Sequence, residues 1–596
     1  MRFELVALNA KYIHSNPAIH SLRSYALHKH PEYEENVILS EYTINNREEE
    51  ILSGLYQSHA DVIGFSVYIW NWKMLRSLLP DLHRILPETQ IWLGGPEVSF
   101  DALQILEEFP FLTGIMIGEG EVTFTEVLEY YMKRERIDQD ARTGASPEDD
   151  LHSIPGLALH GGYTTVRELT DLSEVPFLYD ELDSFRNRIL YYESQRGCPY
   201  RCSYCLSSID KRVRFRDLEL VYRELAFFLE NRVAQVKFID RTFNCREEHA
   251  LSIWKYIREH DNGVTNFHFE VAAEDMTEAE LEVLSGMRPG LVQLEIGVQT
   301  TNPQTLREIH RGMNPDRLRD ILRRLRSPHN IHIHLDLIAG LPWENYESFT
   351  HSFDDVYRMK PEQLQLGFLK VLKGSQMQER AEEYGLVYHE NPPYEVIRTR
   401  WLSYDDVIAL KEVEEMVELY YNSGQYRHIL PVLVADSESP SAFFRGLAEY
   451  YREHGYTVNV PSRTVKYRIL LDYAVSRHPE QEELYRELLV FDLYLRENLK
   501  SRPEFAGDQW EYYDRISAFY KQEEQERRFL PDYTEYHARQ LQKMTHMEYF
   551  LYSVWEADAD QEDRKPELCD RPYPVLFDYR TRDPLTQDAR FVVVRD

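Results

Sequence analysis

Over residues 1–130, short apolar runs alternate with stretches of helical period. Strands are predicted at Phe3–Asn9, Asn36–Tyr42, Asp61–Tyr68, Gln90–Gly95 and Gly114–Gly118, with amphipathic helices such as Met74–Leu86 and Ser99–Phe109 between them. Strands separated by helices imply βαβ units and a parallel sheet covered on both faces. A doubly wound, Rossmann-like domain is therefore expected at the N-terminus. The run from Lys133 to Asp150 is charged, nearly free of apolar residues and reads as a linker. Gly161-Gly162 between apolar residues is a hairpin signal.

A second α/β rhythm follows, with strands expected at Ile189–Ser194, Gln235–Asp240, Asn266–Ala272, Leu291–Gln299, Ile331–Ile338 and Gln363–Leu372. Six strands spaced by helical segments fit a (β/α)6 partial barrel, whose ligands belong at the C-terminal ends of the strands. Beyond about residue 400 the pattern is mostly helical, as in Asp405–Tyr421, Lys466–Ser476 and Glu480–Asn498, and a strand is expected at Arg590–Arg595. The fold class is thus α/β, with four segments: 1–135 Rossmann-like, 136–188 linker with hairpin, 189–400 barrel and 401–596 mostly helical.

Composition changes this picture only in places. The hydrophobic share of 43% is that of an ordinary globular chain. The formal net charge of −33 would repel nucleic acid, whose binding depends on neutralising phosphates. The basic runs Lys211–Arg216 and Arg317–Arg326 are the local exceptions, and the second reads as the solvated face of an amphipathic helix. No stretch approaches the ~20 apolar residues of a membrane helix, and the N-terminus carries no secretory pattern. A cytoplasmic protein without membrane contact is expected. Five cysteines, three of them clustered, suit a reducing compartment and metal binding better than a disulfide framework.

The cluster is Glu193-Ser-Gln-Arg-Gly-Cys198-Pro-Tyr-Arg-Cys202-Ser-Tyr-Cys205, directly after the first barrel strand. Thiolates are the usual ligands of iron–sulfur clusters, and short spacing lets one loop supply several. Three ligands on a cubane leave the fourth iron open. A structural zinc loop completed by a histidine or by Cys245 is the competing reading, but zinc sites typically pair their ligands as C-x2-4-C with a second pair farther on. Cys245 and Cys569 read as ordinary thiols.

This C-x3-C-x2-C segment, with Tyr204 before the last cysteine, resembles the radical S-adenosylmethionine (SAM) superfamily. The resemblance implies a [4Fe-4S] cluster on Cys198, Cys202 and Cys205 whose open iron binds SAM. It also implies contacts to SAM from Asp240, which stands where the family's Gly-Gly-Glu is absent, and from Glu270, Glu295, Gln299 and Gly340 at strand ends. Each of these could instead be a turn or cap residue.

A Rossmann-like domain before such a barrel resembles the cobalamin-binding domain of class B radical SAM enzymes. The matching residues are Ser66-Val-Tyr-Ile-Trp70, Gly94-Gly95-Pro-Glu97 and Gly118-Glu119-Gly120-Glu121, each after a strand. Glycines there would let the backbone approach a large ring and its nucleotide tail. Asp81-Leu-His83 begins like the Asp-x-His-x-x-Gly motif of cobalamin mutases but lacks its glycine, so cobalamin without a histidine lower ligand is expected. Trp70, Asn71 or Trp72 would approach the lower face. Asn9-Ala-Lys-Tyr-Ile-His14-Ser-Asn-Pro17, Leu369-Lys-Val-Leu-Lys-Gly374 and Pro392-Pro-Tyr-Glu395 resemble the DUF4080-type members of this group.

The function implied is methylation of an unactivated carbon. Cobalamin-assisted rearrangement or oxidation, or a non-catalytic sensor, are the alternatives. The partners implied are a small-molecule or peptide substrate and a reductase, flavodoxin or ferredoxin as electron donor. The C-terminal 200 or so residues would shape the substrate entrance or bind a partner.

Overall fold

The first strand, β1 (Phe3–Asn9), is buried at every position, the signature of a parallel strand covered on both faces. Leu5 and Ala7 belong to one apolar cluster, with α1 (Pro17–Lys29) and α5 (Gly120–Gln139), while Val6 and Leu8 belong to another, with α2 (Glu48–Ser58), α3 (Trp72–Ile85) and α4 (Ala102–Glu108). The remaining strands are β2 (Val37–Thr43), β3 (Val62–Ser66), β4 (Gln90–Gly94) and β5 (Leu112–Met116), extended by a hairpin of β6 (Leu157–Leu159) and β7 (Gly162–Tyr163). The sheet order is 2-1-3-4-5-6-7, parallel through β5 and antiparallel beyond it. This is a doubly wound sheet whose order reverses beside β1, and ligands of such sheets bind at the strand C-termini near that reversal. Asn16 caps α1 by accepting the Ile19 N–H, and Pro17 opens the helix, a standard start signal.

This computed structural model describes residues 1–139, 151–179, 181–209, 211–457, 461–557 and 565–595. The expected linker therefore lies outside the described residues over 140–150, and its first residues continue α5. The chain divides into two units, residues 1–292, 306–312 and 368–400, and residues 293–305, 313–367 and 401–596.

The first unit holds, besides the Rossmann-like sheet, the parallel strands β8 (Leu190–Tyr192), β11 (Gln235–Phe238) and β12 (Asn266–Glu270), with α6 (Leu218–Glu230), α7 (Glu247–Glu259) and α8 (Glu278–Ser285) between and after them. A short antiparallel ladder of β9 (Gln195–Arg196) and β10 (Arg214–Phe215) follows β8. The second unit holds β13 (Val292–Gln299), β14 (Ile331–Ala339) and β15 (Gln363–Phe368), with α9 (Pro303–Glu308), α10 (Pro315–Arg326) and α11 (Tyr346–Arg358). Within each unit the three strands lie in the order in which they follow along the chain, as a (β/α)6 plan requires. In α10, Leu318, Ile321, Leu322 and Leu325 are buried, while Arg319 and Arg323 pair with acids three residues earlier on the same helix.

The rest of the second unit is helical, as expected, but it also contains a three-stranded antiparallel sheet of Thr545–Tyr552, Leu568–Arg582 and Ala589–Val593. The first of these strands was not legible, and Pro572 and Pro574 mask the second. Among the described residues no helix is long and apolar enough to cross a membrane.

Candidate functional site

The ladder of β9 and β10 closes a loop that carries all three clustered cysteines. Its first residue, Gly197, has φ +101°, and a Cβ there would stand 2.4 Å from the Arg212 carbonyl oxygen. The loop is held from both sides: Ser203 donates its N–H to the Ile309 carbonyl at 3.1 Å, and its own carbonyl accepts the Met377 N–H at 2.9 Å. Ser208 Oγ donates to the Cys205 carbonyl at 2.6 Å. Cys198 and Cys202 are buried, Cys205 is half-buried, and all three thiols are free.

Arg311 donates from Nη1 to Cys202 Sγ at 4.0 Å and stands 3.9 Å from Glu274. Its Nε is buried without a hydrogen-bond partner. An inward guanidinium with an unmet donor fits an anionic cluster beside these thiolates. Cys245, by contrast, donates to Gln195 Oε1 at 3.7 Å, and burial pushes its thiol up to about 11, which suits an ordinary thiol rather than a fourth ligand.

Asp240, expected as a SAM contact, is fully buried. Its Oδ1 accepts the N–H groups of Ser194 and Gln195 at 2.9 and 3.0 Å, and its Oδ2 lies 2.5 Å from Ser194 Oγ. Ser194 Oγ is in turn 3.0 Å from His249 Nε2. The carboxyl holds the chain that leads into the cysteine loop, through Ser194 and Gln195. Burial pushes Asp240 up to about 8 and His249 down to about 4.

Glu270, at the end of β12, is partly exposed and 3.7 Å from Arg241. In the second unit, Glu295 lies on the half-exposed face of β13. Gln299 ends that strand with φ +71°, and its Oε1 is buried with no partner. A strained non-glycine residue presenting an unmet acceptor is the kind of feature that ligands complete. Gly340 is buried just past β14. Glu344 was missed. It is 1% exposed, accepts from Thr300 at 2.6 Å and Ser352 at 3.0 Å, and burial pushes it up to about 7.

In the first unit, two cavities share walls. One of about 930 Å³ is lined by Tyr68, Trp70, Pro96 and Gly118 and by Glu193, Gln195, Arg196 and Gly197. The second, of about 670 Å³, is lined by Ser66, Gly94, Gly95, Gly118, Glu119 and Gly120 and reaches the apolar residues Phe3, Leu5, Trp92, Phe124 and Val127. The volumes suit ligands of cofactor size. Nothing lies within 4 Å of a Cβ built on Gly118, so the loop faces open space.

Trp70 is 41% exposed, its ring stacks on Tyr68 at 4.4 Å, and its Nε1 donates to the Leu8 carbonyl at 3.1 Å. Asn71 and Trp72 do not share its position. Asn71 is fully buried and bonds to the Leu8 and Ser66 carbonyls, while Trp72 packs in the core against Phe109. His83 stacks on Phe111 at 4.6 Å and lines neither cavity.

Glu119 lines both cavities, and its carboxylate is held by Arg214, Arg196 and the Thr170 N–H. Burial alone would raise it, yet these partners together hold it below the usual carboxylate range. In the basic run Lys211–Arg216, Arg214 grips Glu119 and Arg216 grips the buried Glu224, while Lys211 and Arg212 are exposed. Arg196, Arg214 and Arg311 were not singled out from sequence. Their only signals were a basic residue two places before Cys198 and two arginines at strand spacing after the loop.

Three family profiles match the chain: "B12 binding domain" over residues 4–128, "Radical SAM superfamily" over 192–356 and "Protein of unknown function (DUF4080)" over 382–577. The cobalamin-dependent radical SAM methyltransferase TokK of Streptomyces tokunonensis is 24% identical over 459 residues, covering 69% of this chain and 64% of its own. The 2-(S-pantetheinyl)-carbapenam-3-carboxylate methyltransferase of Streptantibioticus cattleyicolor is 25% identical over 331 residues, covering 50% of this chain and 45% of its own. The chain thus spans less than two thirds of the length of these curated relatives. The cobalamin-dependent radical enzyme OxsB, solved with aqua-cobalamin and SAM bound, is similar in fold, with a TM-score of 0.54 at 17% identity over 84% of this chain and 76% of that one. The matched domains bring with them a [4Fe-4S] cluster, SAM and cobalamin as cofactors. The chain carries a B12-binding domain, a radical SAM domain and a DUF4080 domain, in that order.

Proposed function

We propose that this protein is a cobalamin-dependent radical SAM methyltransferase acting on an unactivated carbon of a small molecule or peptide. The observation that carries this reading is the 930 Å³ cavity, whose walls join the glycine loop at Gly118 to the strand that enters the cysteine loop at Gly197. When bound, the cluster with SAM supplies a hydrogen-abstracting radical, and cobalamin supplies a methyl group.

The chain's own residues divide this work. Cys198, Cys202 and Cys205 hold the cluster, and Arg311 balances its charge. Asp240 and Ser194 fix the approach to the loop. Glu270, Glu295, Gln299 and Gly340 would be the SAM contacts that the resemblance implies. Gly94, Gly95, Gly118 and Gly120, with Ser66, would hold cobalamin in the cavity they line, and Trp70 would offer its ring to it. Two of the relatives are methyltransferases by name, which supports methyl transfer over rearrangement. A ferredoxin, flavodoxin or dedicated reductase delivers the electron.

The test uses SAM with a trideuterated methyl group, cobalamin and a strong reductant, with fractionated small molecules and peptides as candidate substrates. S-adenosylhomocysteine that depends on cobalamin, with one substrate gaining a CD3 group in place of a hydrogen atom, is expected. A substrate that supports SAM cleavage yet gains no methyl group would remove the methyltransferase reading.

A further inference from the structure

Arg196 and Arg214 stand opposite each other in the ladder of β9 and β10, and the residues between them are the cysteine loop. Both arginines reach one carboxylate outside the barrel. Arg196 Nη1 is 3.4 Å from Glu119 Oε1, while Arg214 donates from Nη1 to Oε2 at 3.0 Å and from Nη2 to Oε1. Glu119 also accepts the Thr170 N–H at 2.8 Å, and Arg214 returns a bond to the Thr170 carbonyl at 2.6 Å. Two residues on, Glu121 accepts from Arg196 Nη2 at 2.8 Å. Glu119 belongs to the loop between β5 and α5, whose neighbours Gly118 and Gly120 line the 670 Å³ cavity.

A carboxylate that served one strand would be ordinary packing between neighbours. This one fixes both feet of the cysteine loop at once, with bidentate guanidinium geometry on one side. The bonds are half-buried, where charge pairs are screened less than at the surface.

We propose that Glu119 is a positioning residue that makes cobalamin binding and SAM binding mutually dependent. A ligand that orders the Gly118–Glu121 loop fixes the Glu119 carboxylate, which fixes both arginines and the spacing of the loop they close. Linkage then requires the reverse effect by the same factor. The inference rests on the placement of cobalamin at this loop.

The experiment uses the full chain with its cluster reconstituted anaerobically. Hydroxocobalamin affinity is titrated optically with and without SAM. SAM affinity is followed through the electron paramagnetic resonance of the reduced cluster, with and without hydroxocobalamin. In the wild type each ligand tightens the other by about fivefold or more. In Glu119→Gln that ratio collapses to about one while iron content stays at the wild-type level. Arg214→Gln, which leaves Arg196 on Glu119, gives an intermediate ratio and decides the matter should Glu119→Gln not fold.

A merely structural role would lower iron content or both affinities and leave the ratio intact, which overturns the proposal. A wild-type ratio of one also overturns it while leaving the cofactor placement standing. A wild type that binds no hydroxocobalamin overturns both.

Discussion

Gly197 and Arg212 approach each other so closely that a Cβ on Gly197 would stand 2.4 Å from the Arg212 carbonyl oxygen. The glycine's φ of +101° adds a second reason against any side chain. Gly197→Ala is therefore expected to cost about 1–3 kcal/mol locally and to displace Cys198, the next residue. The measurement is iron and sulfide content after anaerobic reconstitution. The variant should hold less than about half the wild-type cluster at unchanged far-ultraviolet circular dichroism. Full cluster content in Gly197→Ala would show that the loop tolerates the shift.

The chain Asp240–Ser194–His249 makes a pH prediction with a definite sign. Asp240 sits up at about 8 against an ordinary 3.8, and His249 down at about 4 against 6.5. Between about pH 4 and 6.5 the folded site holds one proton and the unfolded pair also holds one, so stability is flat there, whichever of the two carries it. From about 6.5 to 8 the folded site holds one proton more than the unfolded chain, so stability falls as pH rises, by about 2 kcal/mol in total. Denaturant midpoints of the transition that reports this domain should show that slope in the wild type and lose it in Asp240→Asn. A slope that survives in Asp240→Asn would assign it to another group.

Of Trp70, Asn71 and Trp72, Trp70 lines the cavity, while the other two are buried in the core. Trp70→Ala is expected to weaken cobalamin binding by about tenfold, in line with the loss of one large aromatic contact. His83→Ala should change nothing, because that ring stacks on Phe111. In the cobalt(II) form of the bound cofactor, electron paramagnetic resonance should show no imidazole nitrogen. A nitrogen splitting that vanishes in His83→Ala would refute this assignment.

The sequence showed most clearly what is local. Alternation and helical period located the five parallel strands of the Rossmann-like sheet to within two residues at each end, because parallel strands covered on both faces carry a strong apolar signal. Spacing alone picked out the three cysteines. The supports of the site are contacts between distant residues, and no periodicity encodes them. Tyr394 donates to Glu97 across 297 positions, Arg214 reaches Glu119 across 95 and Arg311 reaches Cys202 across 109. Glu119 and Asp240 were singled out as cofactor contacts, but the groups of the chain that hold them were not legible, for the same reason. Each stands at a strand end where ligands commonly bind, but only the folded chain brings arginines to one and the Ser194 and Gln195 amides to the other.

The central claim is that Cys198, Cys202 and Cys205 hold a cluster that cleaves SAM. The most direct measurement is 5′-deoxyadenosine formation by the anaerobically reconstituted protein with SAM, cobalamin and a strong reductant, in the wild type and in Cys202→Ala. The account predicts product in the wild type and none in the variant. Equal product in both would contradict it. So would a wild type with a full cluster that makes no product and whose reduced spectrum does not change when SAM is added.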